Sequence, residues 1–116
     1  RVIMESPFAG DIKRNIAYAR CAVRDCVKRG ESPIASHLLF TQPGILKDEV
    51  PEERALGIEA GLVWGVVAEK TVVYADLGMS RGMQAGIDRA EKEGRPVEIR
   101  YLGEDWKNEA SAWDQF

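Results

Sequence analysis

With 116 residues, 45% of them apolar and 30% charged, the chain has the length of one domain and room for a single core. Its net charge of −3, spread without long runs of either sign, argues against non-specific nucleic-acid binding, and no apolar run is long enough to cross a membrane. Two cysteines and one histidine are too few for a zinc site, and Cys21 and Cys26, five apart on one predicted helix, do not share a face; the expectation is a reduced, cytoplasmic chain without metal or cofactor.

The first strand is predicted over Val2–Glu5. It runs into the turn Ser6-Pro7-Phe8-Ala9-Gly10-Asp11 and then a helix from about Asp11 to Lys28, which ends at Gly30, a good C′ residue. Ile12, Ile16, Ala19, Val23, Cys26 and Val27 follow the three-and-four spacing of a buried stripe. Asp11 is either the cap of this helix or part of its first turn. A short second strand, about Pro33–Ser36, leads into the connection HLLFTQPGILKDEVP, whose length in so small a domain points to function. Pro51, Glu52 and Glu53 open a second helix that continues to about Val67, with Leu56, Ala60, Val63 and Val67 along one face. Gly57, Gly61 and Gly65 recur at intervals of four; each costs roughly 1 kcal/mol of helix stability, so close packing against the sheet or a partner helix is expected. The third strand is predicted over Thr71–Ala75, the third helix over Ser80–Lys92 ending at Gly94, and the fourth strand over Val97–Tyr101. Four apolar strands alternating with helices read as an α/β domain with a parallel sheet over residues 1–103. Residues 104–116 form a tail carrying Trp106, Trp113 and Phe116, suited to capping a sheet edge, contacting a neighbouring subunit, or partial disorder.

Two stretches carry the candidate chemistry. Val72–Ala90, VVYADLGMSRGMQAGIDRA, is a strand, a glycine-rich turn and a helix, which presents free backbone N–H groups and a positive dipole end to an anion such as phosphate. Val2–Ile16 repeats the arrangement, and two such turns at one edge of a parallel sheet form a crevice. Ser80 is a natural N-cap and equally a phosphate ligand, since Gly78 and Gly82 let a ligand approach the backbone; Met79 and Met83 complete that turn. Phe8 either belongs to a plain tight turn or offers a flat apolar face to a base or sugar. Asp76, at a strand C-terminus, has two readings: a sugar-hydroxyl ligand, or an acceptor for N–H groups of its own turn. His37 is a structural or a ligand histidine, and Arg54 a surface ion-pair partner or a phosphate contact. Glu5 is the acid most worth watching, because a carboxylate at a strand end can act as acid or nucleophile.

SPFAGD with Asn15 and Tyr18 following, then PIASHLL, PEERALGIEAG and SRGMQAGIDRA, resemble the nucleoside 2-deoxyribosyltransferase-like families, particularly small bacterial and phage members. The resemblance covers about Val2–Tyr101. It implies a flavodoxin-like parallel sheet of about four strands flanked by helices, with nucleosides or nucleotides bound at the strand C-termini. It also implies dimers or larger homo-oligomers in which neighbouring subunits often complete the pocket. The candidate ligand set is Ser6, Pro7, Phe8, Asp11, Asn15, His37, Arg54, Asp76, Gly78, Met79, Ser80, Gly82 and Met83. Catalytic relatives cleave an N-glycosidic bond with a Glu six residues after an Asp or Ser at the start of the third helix; the Ser matches the nucleotide-hydrolase branch, where it helps hold a 5′-phosphate. Counted from Ser80 the Glu position is Gly86, which carries no nucleophile, and Asp88 faces about 200° away around the helix. The expected function is therefore binding of a nucleotide or nucleotide-derived small molecule without turnover, for sensing, storage or sequestration. An N-glycosidase or deoxyribosyltransferase using Glu5, Asp76 or a second subunit's carboxylate is one alternative. The other is a structural or interaction protein with an empty crevice and the tail tryptophans as its contact surface.

Overall fold

Four short strands, β1 (Val2–Glu5), β2 (Pro33–Ile34), β3 (Lys70–Tyr74) and β4 (Val97–Arg100), form one parallel sheet in the order β2-β1-β3-β4. The computed structural model describes residues 1–112, so Trp113 and Phe116 of the tail lie outside the described residues. The helices are α1 (Ile12–Lys28), α2 (Ser36–Leu39), α3 (Pro51–Gly65), α4 (Arg81–Lys92) and α5 (Trp106–Ala112). This is the expected α/β architecture, consistent with a flavodoxin-like sheet. After β1 the chain first adds β2 on one side and then returns to add β3 on the other. Such a reversal leaves a crevice outside the carboxyl ends of the two adjacent strands, here β1 and β3. No described helix is long and apolar enough to cross a membrane.

Strand parity decides what each face does. Val2 and Met4 of β1 and Val72 and Tyr74 of β3 point to one side, where they pack with Tyr18, Ala19, Ala22 and Cys26 of α1. Val73 points to the other side and packs with Met83 and Ile87 of α4 and with Val97. Ile3 and Glu5 share that second face and look into a gap between α3 and α4, where the Glu5 carboxyl rests against Gly86 of α4.

Two apolar stripes differ from their expected positions. The buried side of α1 is Asn15, Tyr18, Ala19, Cys21, Ala22 and Cys26, whereas Ile12 and Val27 are exposed. The stripe is rotated because Asn15 and Tyr18 hydrogen-bond inside the protein and can be buried. Both cysteines fall on this buried side and are free: Cys21 faces the Trp106 carbonyl at 3.6 Å, and Cys26 the Tyr74 hydroxyl at 3.4 Å. In α3 the expected apolar face is turned outward, with Leu56 62% and Val63 63% exposed. The glycine seam packs instead. A Cβ on Gly57 would meet Leu46, one on Gly61 would lie 2.5 Å from Ser36 Oγ, and one on Gly65 would lie 3.1 Å from the Arg95 guanidinium.

The short helix α2, absent from the sequence reading, occupies the start of the long connection. Part of the tail belongs to the core: Trp106 opens α5, is buried, and meets Tyr18 edge-to-face at 5.1 Å. A charged anchor ties β4 to the α1 side. Arg100 donates to both oxygens of Glu31 at 2.7 and 2.6 Å and to the Tyr74 hydroxyl at 3.1 Å. The Arg100 hydrogen bonds hold the Glu31 carboxyl down at about 2.

Candidate functional site

The gap between α3, α4 and the exposed face of β1 is a cavity of about 870 Å³. Its floor is Ile3, Glu5 and Ile34 from the sheet, Gly86 from α4 and Gly65 from α3. Both glycine-containing turns reach it, the first through Ser6, Phe8 and Ala9, the second through Ser80, Gly82 and Met83. A second aromatic, Phe40, comes from the connection after α2. Five cations line the cavity, Arg54, Arg81, Arg89, Lys92 and Arg95, against the acids Glu5, Asp48, Glu53 and Asp88.

The α4 end is built to meet an anion. Ser80 caps the helix by accepting from Met83 N at 3.2 Å, and the Met83 sulfur accepts from Ser80 N at 3.4 Å. The first residues of a helix have N–H groups with no partner further back in the helix, and here those residues include Arg81 and Gly82. Because Ser80 Oγ serves the helix only as acceptor, its hydroxyl hydrogen can turn to a ligand oxygen.

On the opposite wall, Ser6 Oγ and His37 Nε2 lie 2.6 Å apart. Ser6 is buried, and burial pushes the His37 imidazole down to about 4, so it is neutral near physiological pH. A neutral imidazole and a hydroxyl form a donor–acceptor pair whose direction can reverse to suit a ligand hydroxyl.

At the floor, burial pushes the Glu5 carboxyl up to about 7, opposed by the positive charge of Arg95. Arg95 is itself held: it donates to Thr71 Oγ1 at 2.9 Å, the Gly65 carbonyl at 2.8 Å and Glu93 at 3.0 Å. Gly65 lets the guanidinium lie against the end of α3.

Of the candidate ligand residues, Ser6, Phe8, His37, Arg54, Ser80, Gly82 and Met83 line this one cavity. The other six stand outside its lining. Pro7 is buried in the first turn. Asp11 caps α1 through Arg14 N at 3.2 Å. Asn15 donates to the Phe8 and Ala9 carbonyls at 2.8 and 3.1 Å and so fixes the loop that presents Phe8. Gly78 adopts φ +92° in its turn, and Met79 is exposed beside it.

Asp76 continues the parity of Val72 and Tyr74 and therefore turns to the α1 side, away from the cavity. Its carboxylate accepts from the Tyr18 hydroxyl at 2.5 Å and from Leu102 N and Gly103 N at 2.8 and 3.0 Å. Burial works against its ionised form, yet these donors hold its pKa below the ordinary value. The sequence reading did not single out Arg81, Arg89, Lys92, Arg95 or Phe40 as ligands; the Gly94-Arg95-Pro96 turn was the available signal for Arg95.

No curated protein and no solved structure matches the chain. A family model described as a domain of unknown function, DUF7768, matches residues 1–100, which take in every strand and the whole cavity lining. The chain belongs to the DUF7768 family.

Proposed function

We propose that the cavity binds a nucleotide or nucleotide-derived small molecule and holds it without turnover. The observation that carries this reading is the convergence of both turns on one cavity, with a cationic, N–H-rich end at α4 and two aromatic rings, Phe8 and Phe40, in its lining. A phosphate suits Ser80, Arg81 and Gly82, a base suits the rings, and a sugar hydroxyl suits the Ser6–His37 pair. Gly86 leaves α4 without the carboxylate that glycosidic cleavage by the resembled families uses. The test is a thermal-shift and calorimetric screen of nucleoside 5′-monophosphates; a ligand at a hundredfold excess over its Kd adds about 2.7 kcal/mol of stability. Silence across that screen refutes the reading.

One observation favours a second reading, N-glycosidic cleavage: the Glu5 carboxyl stands over Gly86 and supplies an acid where α4 has none. Free base released from nucleosides or their monophosphates, and lost in Glu5→Gln, would replace the non-catalytic reading.

We also propose that a second copy of the chain covers α3. Leu56, Val63 and Trp64 face outward on a helix whose other side lines the cavity, so a partner there would border the site.

A further inference from the structure

Glu5 ends β1, and the alternation that sends Val2 and Met4 into the α1 core sends its side chain the opposite way, toward α4. There it rests on the one α4 position in contact that has no side chain. A Cβ built on Gly86 would lie 2.6 Å from Glu5 Cδ and 2.8 and 2.9 Å from its two oxygens. The carboxyl thus lies flat against the helix, at the cavity floor. No hydrogen bond or ion pair among the described residues ends on it; the one charge acting on it from a distance is Arg95. Glu31 shows the contrast, with two arginine hydrogen bonds and Lys70 at 3.2 Å holding it ionised.

We infer that Glu5 works as an uncharged carboxylic acid that donates a hydrogen bond to a neutral acceptor on the ligand, so that ligand binding is coupled to uptake of a proton. This rests on the nucleotide-like reading of the cavity and narrows it. The ligand carries an anionic group for the α4 end and, in the same molecule, a lone-pair acceptor such as a base carbonyl, a ring nitrogen or a sugar oxygen. An ionised carboxylate can only accept, and would repel such an atom. With Glu5 uncharged, the five cations of the cavity face Asp48, Glu53 and Asp88 in its lining and Glu93 behind Arg89 and Arg95, an excess of one positive charge that suits an anionic group.

The charged surroundings bear on the pH dependence. From α4 come Arg81, Asp88, Arg89 and Lys92; from α3 and the connection before it, Glu53, Arg54 and Asp48; from the turn before β4, Arg95; from α2, His37. His37, held down at about 4, stays neutral throughout the range in which Glu5 changes. A phosphate monoester's own second ionisation, with a pKa of about 6, strengthens binding to cations as pH rises, which is the opposite direction.

The experiment is calorimetric titration of the protein between pH 6 and 9, in buffers of different ionisation enthalpy, with AMP, CMP, GMP, UMP and ribose 5-phosphate. The expected result is uptake approaching one proton per site at pH 8 and affinity falling about tenfold for each pH unit above 7. Glu5→Gln keeps a donor amide but cannot titrate, so it should bind without uptake and with a flat profile. Uptake with the nucleotides alone places the acceptor on the base, and uptake with ribose 5-phosphate places it on the sugar; both support the inference. Binding without uptake, or uptake unchanged in Glu5→Gln, overturns it and leaves the nucleotide reading standing. If none of the probes binds, the nucleotide reading falls, and the donor role falls with it.

Discussion

Replacing Glu5 with glutamine should stabilise the ligand-free protein at neutral and alkaline pH and leave it unchanged in acid. In the folded chain the carboxyl has moved from an ordinary 4.5 to about 7 because it is half-buried at the cavity floor without a donor. The folded state therefore holds its proton through a window in which the unfolded chain releases it. Stability from this group is fully present below pH 4.5, declines as pH rises, and is gone above about 7. At about 1.4 kcal/mol per unit, the loss amounts to about 3 kcal/mol. Glutamine has nearly the same shape and never ionises. Urea denaturation at pH 4 and pH 8 reads the difference: equal stability of the two proteins at pH 4, and the variant ahead by about 3 kcal/mol at pH 8. A constant difference across that range would mean that Glu5 is not buried uncharged, and the reasoning about the cavity floor would fail with it.

Four other substitutions, two of them combined, test the frame around the site. Gly61→Ala should cost about 1–3 kcal/mol in urea denaturation despite its better helix propensity, because the new methyl meets Ser36 Cβ and Oγ at 2.6 and 2.5 Å. Adding Ser36→Gly should restore most of that loss, and failure to do so would remove the glycine seam as the contact between α2 and α3. Arg100→Met should cost about 1.5–3 kcal/mol by leaving the partly buried Glu31 carboxylate with Lys70 alone. In the parent protein Glu31, held at about 2, contributes stability that is lost as pH falls from 4.5 toward 2; the acid limb of the stability profile should flatten in the variant. Val63→Glu should convert a dimer to a monomer in analytical ultracentrifugation, and a parent protein that sediments as a monomer would refute the partner proposed for α3.

Much of the site was readable because its signals are local. A strand, a glycine turn and a helix start are contiguous in sequence, so the sequence alone places Ser6, Phe8, Ser80, Gly82 and Met83 at one sheet edge. Residues whose role depends on which face they take were harder. Asp76 and Glu5 both sit at strand ends, and only their parity relative to Tyr74 and Met4 separates a loop fastener from a cavity floor. That parity is written in the chain, but deciding which face a helix covers needs the packed sheet. In α3 two patterns competed, an apolar stripe through Leu56 and Val63 and a glycine row through Gly57 and Gly61, and local sequence does not say which one turns inward. The four residues of α2 are too few to show a period, and α5 follows from one tryptophan that finds Tyr18 far away in the chain.

The glycine row of α3 bears on how the cavity responds to its occupant. Ser36 fills the space that Gly61 leaves, where a Cβ would lie 2.5 Å from its hydroxyl, and Gly65, the one buried residue of the helix, accepts from Arg95 at 2.8 Å through its carbonyl. This wall is therefore keyed to α2 at one point and tied to the turn before β4 at another, so displacing it would break both contacts. A guest too wide for the spacing those two points set would have to give up one of them.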